Sequence, residues 1–207
     1  MIAVVDYGVG NLFSLKSSLK FLGLDCVVTS KKEDLIKADK IILPGVGAFG
    51  DAMMKLRETG LVETVKEQAK IKPLLGICLG MQLLFDKSLE FGEHEGLGLI
   101  RGIVAPLSDD IDPSLKIPHM GWNTLDLVRE HPVLNKLPLG DNGRHAYFVH
   151  SYHFRVADPA HLIAHVDYAG PVTAIVGRDT MVGAQFHPEK SQSVGLRLIA
   201  NFLRWRP

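Results

Sequence analysis

The sequence predicts an α/β fold: a three-layer α/β/α sandwich built on a mostly parallel sheet, with an antiparallel extension. Two observations indicate this fold. Up to about residue 98, short unbroken apolar runs alternate with amphipathic stretches, and such runs between helices are typical of parallel strands covered on both faces. After that point the apolar segments are shorter and follow one another closely, which is typical of antiparallel strands.

The first half contains four predicted strands and the helices between them. Asn11 follows a glycine-rich turn and is a predicted N-cap. Leucines then recur at helical spacing from Leu12 to Leu22, and the mixed charges at residues 31–34 predict a solvated helix start. The predicted strands cover residues 2–5, 26–28 and 40–43, and a fourth strand begins at Leu74. Further helices are predicted at residues 51–56, 61–70 and 79–85.

The second half contains shorter strand-like segments, at residues 99–104, 122–128, 146–149 and 162–166. Residues 173–176 and 181–186 flank a glycine-containing turn, a pattern that predicts a β-hairpin. A final helix is predicted from four apolar residues that share one helical face: Val194, Leu198, Ile199 and Phe202. Because no repeat or low-complexity linker interrupts the chain, we expect a single domain spanning residues 1–207.

Composition and charge exclude several classes of protein. Lysine plus arginine and aspartate plus glutamate number 23 each, so no net positive field attracts nucleic acid or an anionic membrane. No apolar stretch approaches the roughly 18 residues that span a bilayer, and the first residues lack the features of a signal peptide. The two cysteines, Cys26 and Cys78, form neither a disulfide framework nor a zinc motif. We therefore expect a reduced, cytoplasmic protein.

Cys78 is the candidate nucleophile. It stands between Gly76 and Gly80, directly after an apolar strand and before a predicted helix. A Gly-x-Cys-x-Gly at a strand-to-helix turn is the thiol form of the nucleophile elbow, in which the tight turn leaves no room for side chains two residues away. The helix N-terminus beside the sulfur favours thiolate. A free cysteine is usually a buried structural residue, and Cys26, which lacks this context, is interpreted that way.

A thiolate nucleophile needs a base within hydrogen-bond reach and a group that orients the base. His187 and Glu189 follow a predicted strand, and residues i and i+2 of an extended segment face the same way. We therefore expect His187 to hold the proton and Glu189 to fix its tautomer. The chain order Cys, His, Glu is no obstacle, because such triads are recognised by role.

An acyl-transfer site also needs donors for the developing oxyanion. The N–H of Leu79, directly after the nucleophile, is one candidate. The loop after the third strand can supply the other from Val46 or Gly47, because ligands of open α/β sheets bind beyond the carboxyl ends of the strands. A plain turn is the alternative interpretation of this loop.

Nine histidines raise the question of a metal site. His145, His150 and His153 cluster in one strand-like region, but their spacing matches no common metal motif and no carboxylate pattern accompanies them. We therefore expect neither a metal nor another cofactor.

Together these residues resemble the class I, or triad, glutamine amidotransferases over essentially the whole chain. The family's elbow, Gly-x-Cys-x-Gly-x-Gln, is matched by Gly76, Cys78, Gly80 and Gln82, and its C-terminal motif by residues 187–189. The resemblance implies a flavodoxin-like sheet. It also implies hydrolysis of glutamine to glutamate and ammonia through a cysteine thioester, with the ammonia passing to a synthase.

The same resemblance implies which residues bind glutamine. Gln82 and Glu90 match positions that hold the amino-acid end of the substrate, and a carboxylate suits its ammonium group. Further substrate contacts are implied for the loop glycine and for one strand-like segment: Gly45, His150, Ser151 and Tyr152.

Finer motifs resemble one branch of the family, glutaminase subunits that form a heterodimer with a separate TIM-barrel cyclase of histidine biosynthesis. Trp122 and Asn123 match partner-facing positions, and Lys190 matches a residue that forms an ion pair across that interface. The segments that carry this resemblance are residues 6–12, 44–49, 93–99, 118–123, 147–152 and 186–191.

Three other interpretations stay open on the sequence alone. The chain could serve anthranilate or GMP synthesis, although those glutaminases often carry histidine at the Met81 position and lack the motif at residues 118–123. It could be a cysteine hydrolase or peptidase on the same scaffold, which assays of glutamine against peptides would distinguish. It could also be an inactive regulatory module, against which the intact Cys78, His187 and Glu189 argue.

Overall fold

The protein is described by a computed structural model over residues 1–137 and 145–207. The strands of these ranges are β1 (Ile2–Val5), β2 (Cys26–Thr29), β3 (Lys40–Leu43), β4 (Leu74–Ile77), β5 (Phe85–Ser88), β6 (His94–Glu95), β7 (Ile100–Pro106), β8 (His119–Thr124), β9 (Asp126–Leu127), β10 (His145–His150), β11 (Tyr152–Val156), β12 (Leu162–Asp167), β13 (Pro171–Arg178) and β14 (Met181–Ala184). The helices are α1 (Leu12–Phe21), α2 (Lys32–Lys37), α3 (Phe49–Glu58), α4 (Val62–Ala69), α5 (Leu79–Gln82) and α6 (Gln192–Arg204).

An eight-stranded sheet forms the centre of the fold, in the order β2-β1-β3-β4-β14-β13-β12-β9. The strands from β2 to β14 are parallel neighbours, whereas β14, β13, β12 and β9 pair antiparallel. The first five strands therefore have the connectivity of flavodoxin-like sheets. This confirms the predicted mostly parallel sheet, its antiparallel extension and the hairpin formed by β13 and β14.

Helices cover both faces of this sheet. On one face, Leu15 of α1 and Leu198 of α6 pack into a core that includes Val4. On the other face, Met53 of α3 and Val65 of α4 pack into a second core. The alternation of strand side chains between two apolar layers explains why the parallel strands are apolar throughout. None of the helices in the described ranges is long and apolar enough to cross a membrane.

Two smaller sheets complete the structure. One has four strands in the order β11-β7-β5-β6, and the other pairs β10 with β8. β5, β6 and β11 were not predicted, because these strands are short and lack clear alternation of apolar and polar residues.

The predicted helix at residues 79–85 is wrong beyond Gln82. The carbonyls of Leu83 and Leu84 accept the N–H groups of Leu97 and Leu99, each at 2.8 Å. These tertiary hydrogen bonds replace the helical ones, and the chain continues as β5 instead. Local propensity alone does not reveal such a competition.

The predicted strand at residues 122–128 is two strands in the structure. β8 pairs with β10, whereas β9 pairs with β12 in the large sheet. Leu125 lies between them and is fully buried in the core. The need to bury this side chain redirects the chain from one sheet to the other.

The topology brings several candidate residues to one edge of the large sheet. The turns that follow β1, β3 and β4 all lie beyond carboxyl ends of parallel strands, where ligands bind in this class of fold. β14 pairs in parallel with β4, and the N–H of Cys78 donates to the carbonyl of Ala184 at 2.7 Å. The segment that follows β14, with His187, therefore runs beside the elbow.

Candidate active site

Cys78 occupies the sharp turn between β4 and α5. Its φ of 53° and ψ of −115° are uncommon for a residue with a side chain, and such strain concentrates at functional sites. A Cβ on Gly80 would overlap the carbonyl of Leu43, and one on Gly76 would lie 2.7 Å from the Cα of Met81. Because α5 has four residues, its dipole favours the thiolate less than the longer predicted helix would.

His187 and Glu189 form a buried pair. Nδ1 of His187 lies 2.8 Å from Oε1 of Glu189, and each side chain is 3% exposed. The extended segment expected here is instead a 3-10 turn over Pro188–Lys190, which bends the carboxylate back toward the ring. With Nδ1 held by Glu189, the other ring nitrogen is left for Cys78, which lines the same cavity as His187.

The surroundings of His187 favour its charged form. Burial lowers the pKa of the imidazole, but hydrogen bonds with Cys78 and Glu189 and the negative charges of both partners outweigh burial and raise the pKa to about 10. The ring is therefore protonated at neutral pH. An imidazolium beside a cysteine favours the thiolate, which is the nucleophilic form.

The loop after β3 lies beside the sulfur. Val46 and Gly47 line the same cavity as Leu79, and Gly47 has a φ of 94°, in the region that favours glycine. The hydroxyl of Tyr7 donates to the carbonyl of Pro44 at 2.7 Å, which anchors the start of the loop. Leu79 is the first residue of α5, so its N–H has no partner within the helix.

A cavity of about 290 Å³ opens at this edge. Ligand pockets commonly measure roughly 300–1,000 Å³, so this one suits a small metabolite. Its lining contains the candidate nucleophile, the candidate base and most of the residues assigned to the oxyanion and the substrate: Val46, Gly47, Cys78, Leu79, Gln82, Glu90, Val149, His150, Ser151, Tyr152 and His187.

Gly45 is not among the lining residues. A Cβ at this position would lie 2.6 Å from the backbone nitrogen of Gly80 and 2.7 Å from the hydroxyl of Tyr7. Gly45 therefore lets the loop approach the elbow closely. Its contact with a substrate stays a prediction.

The residues assigned to the amino-acid end of the substrate are held by backbone groups. The carboxylate of Glu90 accepts the N–H of Phe49 at 2.6 Å, at the N-terminus of α3. Burial raises the pKa of Glu90, although the Phe49 N–H and the nearby His94 oppose it. The amide of Gln82 donates to the carbonyl of Tyr152 at 3.1 Å, which ties α5 to the opposite wall.

Two buried residues at this site, Tyr7 and Gln185, were not predicted from the sequence. Gln185 is fully buried, and its amide nitrogen lies 3.7 Å from the sulfur of Cys78. The signal for Gln185 was available, because it is a polar side chain in the apolar run that precedes His187. Tyr7 directly follows the turn residue Asp6, where no motif distinguishes it from a packed aromatic.

The candidate partner-facing residues lie near the triad but outside the cavity. Trp122 is 49% exposed, Lys190 is exposed, and the side chain of Asn123 donates to the carbonyl of Asp167 at 3.0 Å. In the pairing of β8 with β10, Trp122 is opposite Tyr147. The carbonyl of Tyr147 accepts the N–H of His187 at 3.0 Å, so one strand separates the tryptophan from the base.

The three clustered histidines have separate partners. His145 contacts the hydroxyl of Thr124 at 3.1 Å, His150 contacts His119 at 3.3 Å, and His153 contacts Asp110 at 2.6 Å. Within residues 1–137 and 145–207, no group of three His, Cys, Asp or Glu side chains is arranged to hold a metal ion.

Comparison with known proteins identifies relatives along the whole chain. The family model described as glutamine amidotransferase class-I matches residues 3–205. The imidazole glycerol phosphate synthase subunit HisH of Bradyrhizobium diazoefficiens is 52% identical, over 100% of this chain and 99% of the relative. The subunits of the same name from Rhodospirillum rubrum and Sulfurimonas denitrificans are 51% and 48% identical, again over 100% of this chain and 99% of each relative.

Solved structures share the fold. A crystal structure of a glutamine amidotransferase aligns with a TM-score of 0.75 at 22% identity, covering 99% of this chain and 98% of that one. The structure of PurLQS from Thermotoga maritima aligns with a TM-score of 0.72 at 18% identity, covering 98% and 97%. These likenesses agree with the predicted class of fold.

Proposed function

The chain belongs to the class I glutamine amidotransferase family, with the HisH subunits of imidazole glycerol phosphate synthase as relatives, and we propose that Cys78, His187 and Glu189 carry out its chemistry. It is a glutaminase, which releases ammonia from L-glutamine. The observation that supports this assignment of residues is that Cys78 and His187 line the same small cavity, with Nδ1 of His187 held by Glu189 at 2.8 Å.

The first step forms a thioester. The sulfur of Cys78 attacks the carboxamide carbon of glutamine, and the carbonyl oxygen becomes an oxyanion. The N–H of Leu79 and an N–H of the Val46–Gly47 segment stabilise that oxygen, as fixed donors do in acyl transfer. The imidazolium of His187 gives its proton to the departing nitrogen, and ammonia leaves.

The second step hydrolyses the thioester. His187, now neutral, takes a proton from water, and the resulting hydroxide attacks the thioester carbon. The carbon–sulfur bond breaks, glutamate leaves, and the thiolate–imidazolium pair is restored. Glu189 holds the tautomer and orientation of the ring through its contact with Nδ1, which is the role of the third member of such triads.

The cavity wall supplies recognition. Glu90 faces the cavity with a carboxylate that suits the α-ammonium group of glutamine, because charge-assisted hydrogen bonds are the stronger ones. Gln82 and the backbone around Ser151 and Tyr152 complete the wall, with His150 behind it. The small volume supports glutamine over a peptide as substrate.

The ammonia passes to a partner. The relatives are named as subunits of a synthase, and we propose that the partner of this chain is a separate TIM-barrel cyclase. That cyclase combines ammonia with a phosphoribulosyl-formimino-AICAR phosphate to give imidazole glycerol phosphate and AICAR in histidine biosynthesis, in the cytoplasm. Exposed Trp122, neighbouring Asn123 and exposed Lys190 form the proposed contact, within one strand of the triad.

One experiment tests this function. Glutamate release is measured with the purified chain alone, with a cyclase subunit, and with both the subunit and its nucleotide substrate. We expect release of glutamate and ammonia in equal amounts, with the greatest rate in the complete mixture. Hydrolysis of peptides in preference to glutamine, or no response to the cyclase, would contradict the proposal.

A further inference from the structure

The buried amide of Gln185 supports an inference that deepens the proposed function, because it rests on Cys78 as the nucleophile. Gln185 follows β14, and its backbone N–H donates to the carbonyl of Ala174 at 2.9 Å. Its side chain shares a sheet face with Gly183, where a Cβ would overlap the side chain of Met81. The amide therefore lies beneath the elbow and α5, fully shielded from solvent.

This amide connects the nucleophile to the cavity wall. Its Nε2 lies 3.7 Å from the sulfur of Cys78, and its Oε1 accepts from Nε2 of Gln82 at 2.9 Å. Gln82 also donates to the carbonyl of Tyr152 at 3.1 Å. A continuous series of hydrogen bonds thus runs from the sulfur to the wall that is proposed to bind glutamine.

The orientation of the Gln185 amide follows from its partners. A backbone carbonyl only accepts, so the group that Gln82 directs at Tyr152 must be its NH₂. That NH₂ also faces Gln185, which must therefore present its oxygen to Gln82. The remaining end of the Gln185 amide, its NH₂, is directed at Cys78.

We propose that Gln185 is a positioning residue that holds the sulfur of Cys78 as a thiolate, with its N–H as a donor in addition to His187. An N–H donor bonds a negative sulfur more strongly than a neutral one, and the absence of solvent strengthens the interaction further. Two donors also fix the position of the sulfur before attack better than one. A buried amide that serves only packing would influence stability but not the ionisation of Cys78.

The reactivity of Cys78 toward iodoacetamide separates these roles without using glutamine turnover. Alkylation is followed against pH by peptide mass spectrometry, with Cys26 on β2 as an internal reference in the same sample. The variant is Gln185→Met, which keeps the length of the side chain and removes the donor. The matched control is Gln68→Met, a change at a buried glutamine of α4.

We expect Gln185→Met to raise the pH midpoint of Cys78 alkylation by about one unit and to slow alkylation about tenfold below that midpoint. Glutaminase kcat should fall by a comparable factor. The midpoint in Gln68→Met and the alkylation of Cys26 should not move. A second variant, Gln82→Met, removes the partner that orients the Gln185 amide but keeps the amide itself, so it should raise KM and shift the Cys78 midpoint less than Gln185→Met does.

An unchanged Cys78 midpoint in a folded Gln185→Met protein would overturn the proposal, whatever its thermal stability. If Gln185→Met does not fold, Gln185→Leu, which also removes the donor, serves instead, and the same shift is required of it. Cys78→Ala distinguishes this test from the proposed function. Persistent glutamine hydrolysis in Cys78→Ala would refute the nucleophile itself, whereas the alkylation profile reports on Gln185 alone.

Discussion

Nδ1 of His119 lies 3.3 Å from Nε2 of His150, and this contact joins β8 to the wall of the cavity. Nδ1 of His150 lies 2.8 Å from the carbonyl of Tyr152. Because a carbonyl only accepts, His150 donates there and its Nε2 is an acceptor for His119. Both rings are neutral in this arrangement. β8 also carries Trp122, so the strand that holds His119 is the one that carries the proposed partner-facing tryptophan.

The neutral pair predicts a loss of stability in mild acid. The ordinary pKa of a histidine is about 6.5. Burial lowers the pKa of His119 to about 4. Burial is also the largest of the causes that lower the pKa of His150 to about 3. Below about pH 6.5 the unfolded chain binds protons that the folded chain excludes, so the free energy of unfolding falls as pH decreases. The contribution is complete above that pH.

Urea unfolding at several pH values between 7.5 and 5 measures this effect. His119→Phe keeps an aromatic ring between Phe148 and Tyr168, whose centroids lie 4.9 and 4.0 Å from that of His119. The variant should lose less stability on acidification, by up to about 1.4 kcal/mol per pH unit. Equal slopes in the two proteins would contradict the assignment, since the comparison leaves His187, with its raised pKa, unchanged.

Loss of the Cys78 thiol should abolish glutamine hydrolysis without unfolding the protein. We expect Cys78→Ser and Cys78→Ala to lower kcat at least about 10³-fold, because triad members act as a unit. Cyclase binding and synthesis from added ammonia should persist. Cys26→Ser, at a half-buried position on β2, is the matched control. Near-normal glutamate release by Cys78→Ala would exclude this residue as the nucleophile.

The two partners of the nucleophile should differ in importance. His187→Ala removes the group that transfers protons and should cost nearly as much as loss of the thiol. Glu189→Gln keeps a hydrogen-bond acceptor for Nδ1, so it should cost less. Steady-state kcat values decide the matter, and a Glu189→Gln defect larger than that of His187→Ala would reverse the assigned roles.

Glu90 should act on binding more than on chemistry. Glu90→Gln retains an acceptor for the N–H of Phe49 but loses the charge that faces the substrate ammonium. We expect KM for glutamine to rise about tenfold or more, with a small change in kcat. Glu63→Gln, on the exposed face of α4, should leave both constants unchanged. A fall in kcat at constant KM would place Glu90 in the chemistry instead.

Much of the fold was predictable because its signals are local. The parallel strands are apolar runs between helices, and Asn11 does cap α1 through its side chain. The end of α5 and the division at Leu125 were not predictable, since each depends on partners distant in sequence. The carbonyl of Leu84, for example, accepts hydrogen bonds from the N–H groups of Leu99 and Ile100. The sequence near residue 84 contains no signal for these partners.

In the candidate site, too, residues with a local sequence motif were predictable, and residues that depend on distant partners were not. Cys78 and its glycines form a motif within five residues, and His187 and Glu189 form another, so the sequence alone supports both as candidates. The partners of Gln185 come from α5 and the elbow, more than 100 positions away. Only the register of β14 beside β4 brings Gln185 close to these partners. For this reason no role was predicted for a polar residue in an apolar run.

The loop at residues 44–47 predicts control of the glutaminase by the cyclase. Tyr7 fixes the carbonyl of Pro44, so a peptide that turns over must lie beyond it. Gly47, at a φ of 94°, adopts angles closed to most residues and permits two orientations of the Val46–Gly47 peptide. In one, an N–H faces the oxyanion. In the other, a carbonyl does, and loss of one such donor costs about 10²–10³ in kcat.

We therefore expect the isolated chain to hydrolyse glutamine slowly and the cyclase with its nucleotide ligand to raise kcat strongly, with little change in KM. Gly47→Ala should restrict the loop and reduce the degree of stimulation. Gly60→Ala is the matched control, because Gly60 also has a positive φ, of 69°, but follows α3 away from the cavity. Steady-state assays of the free chain and the liganded complex measure both effects. Equal kcat in the two states would show that the oxyanion hole is static. Equal stimulation of the two glycine variants would show that regulation by the cyclase does not depend on Gly47.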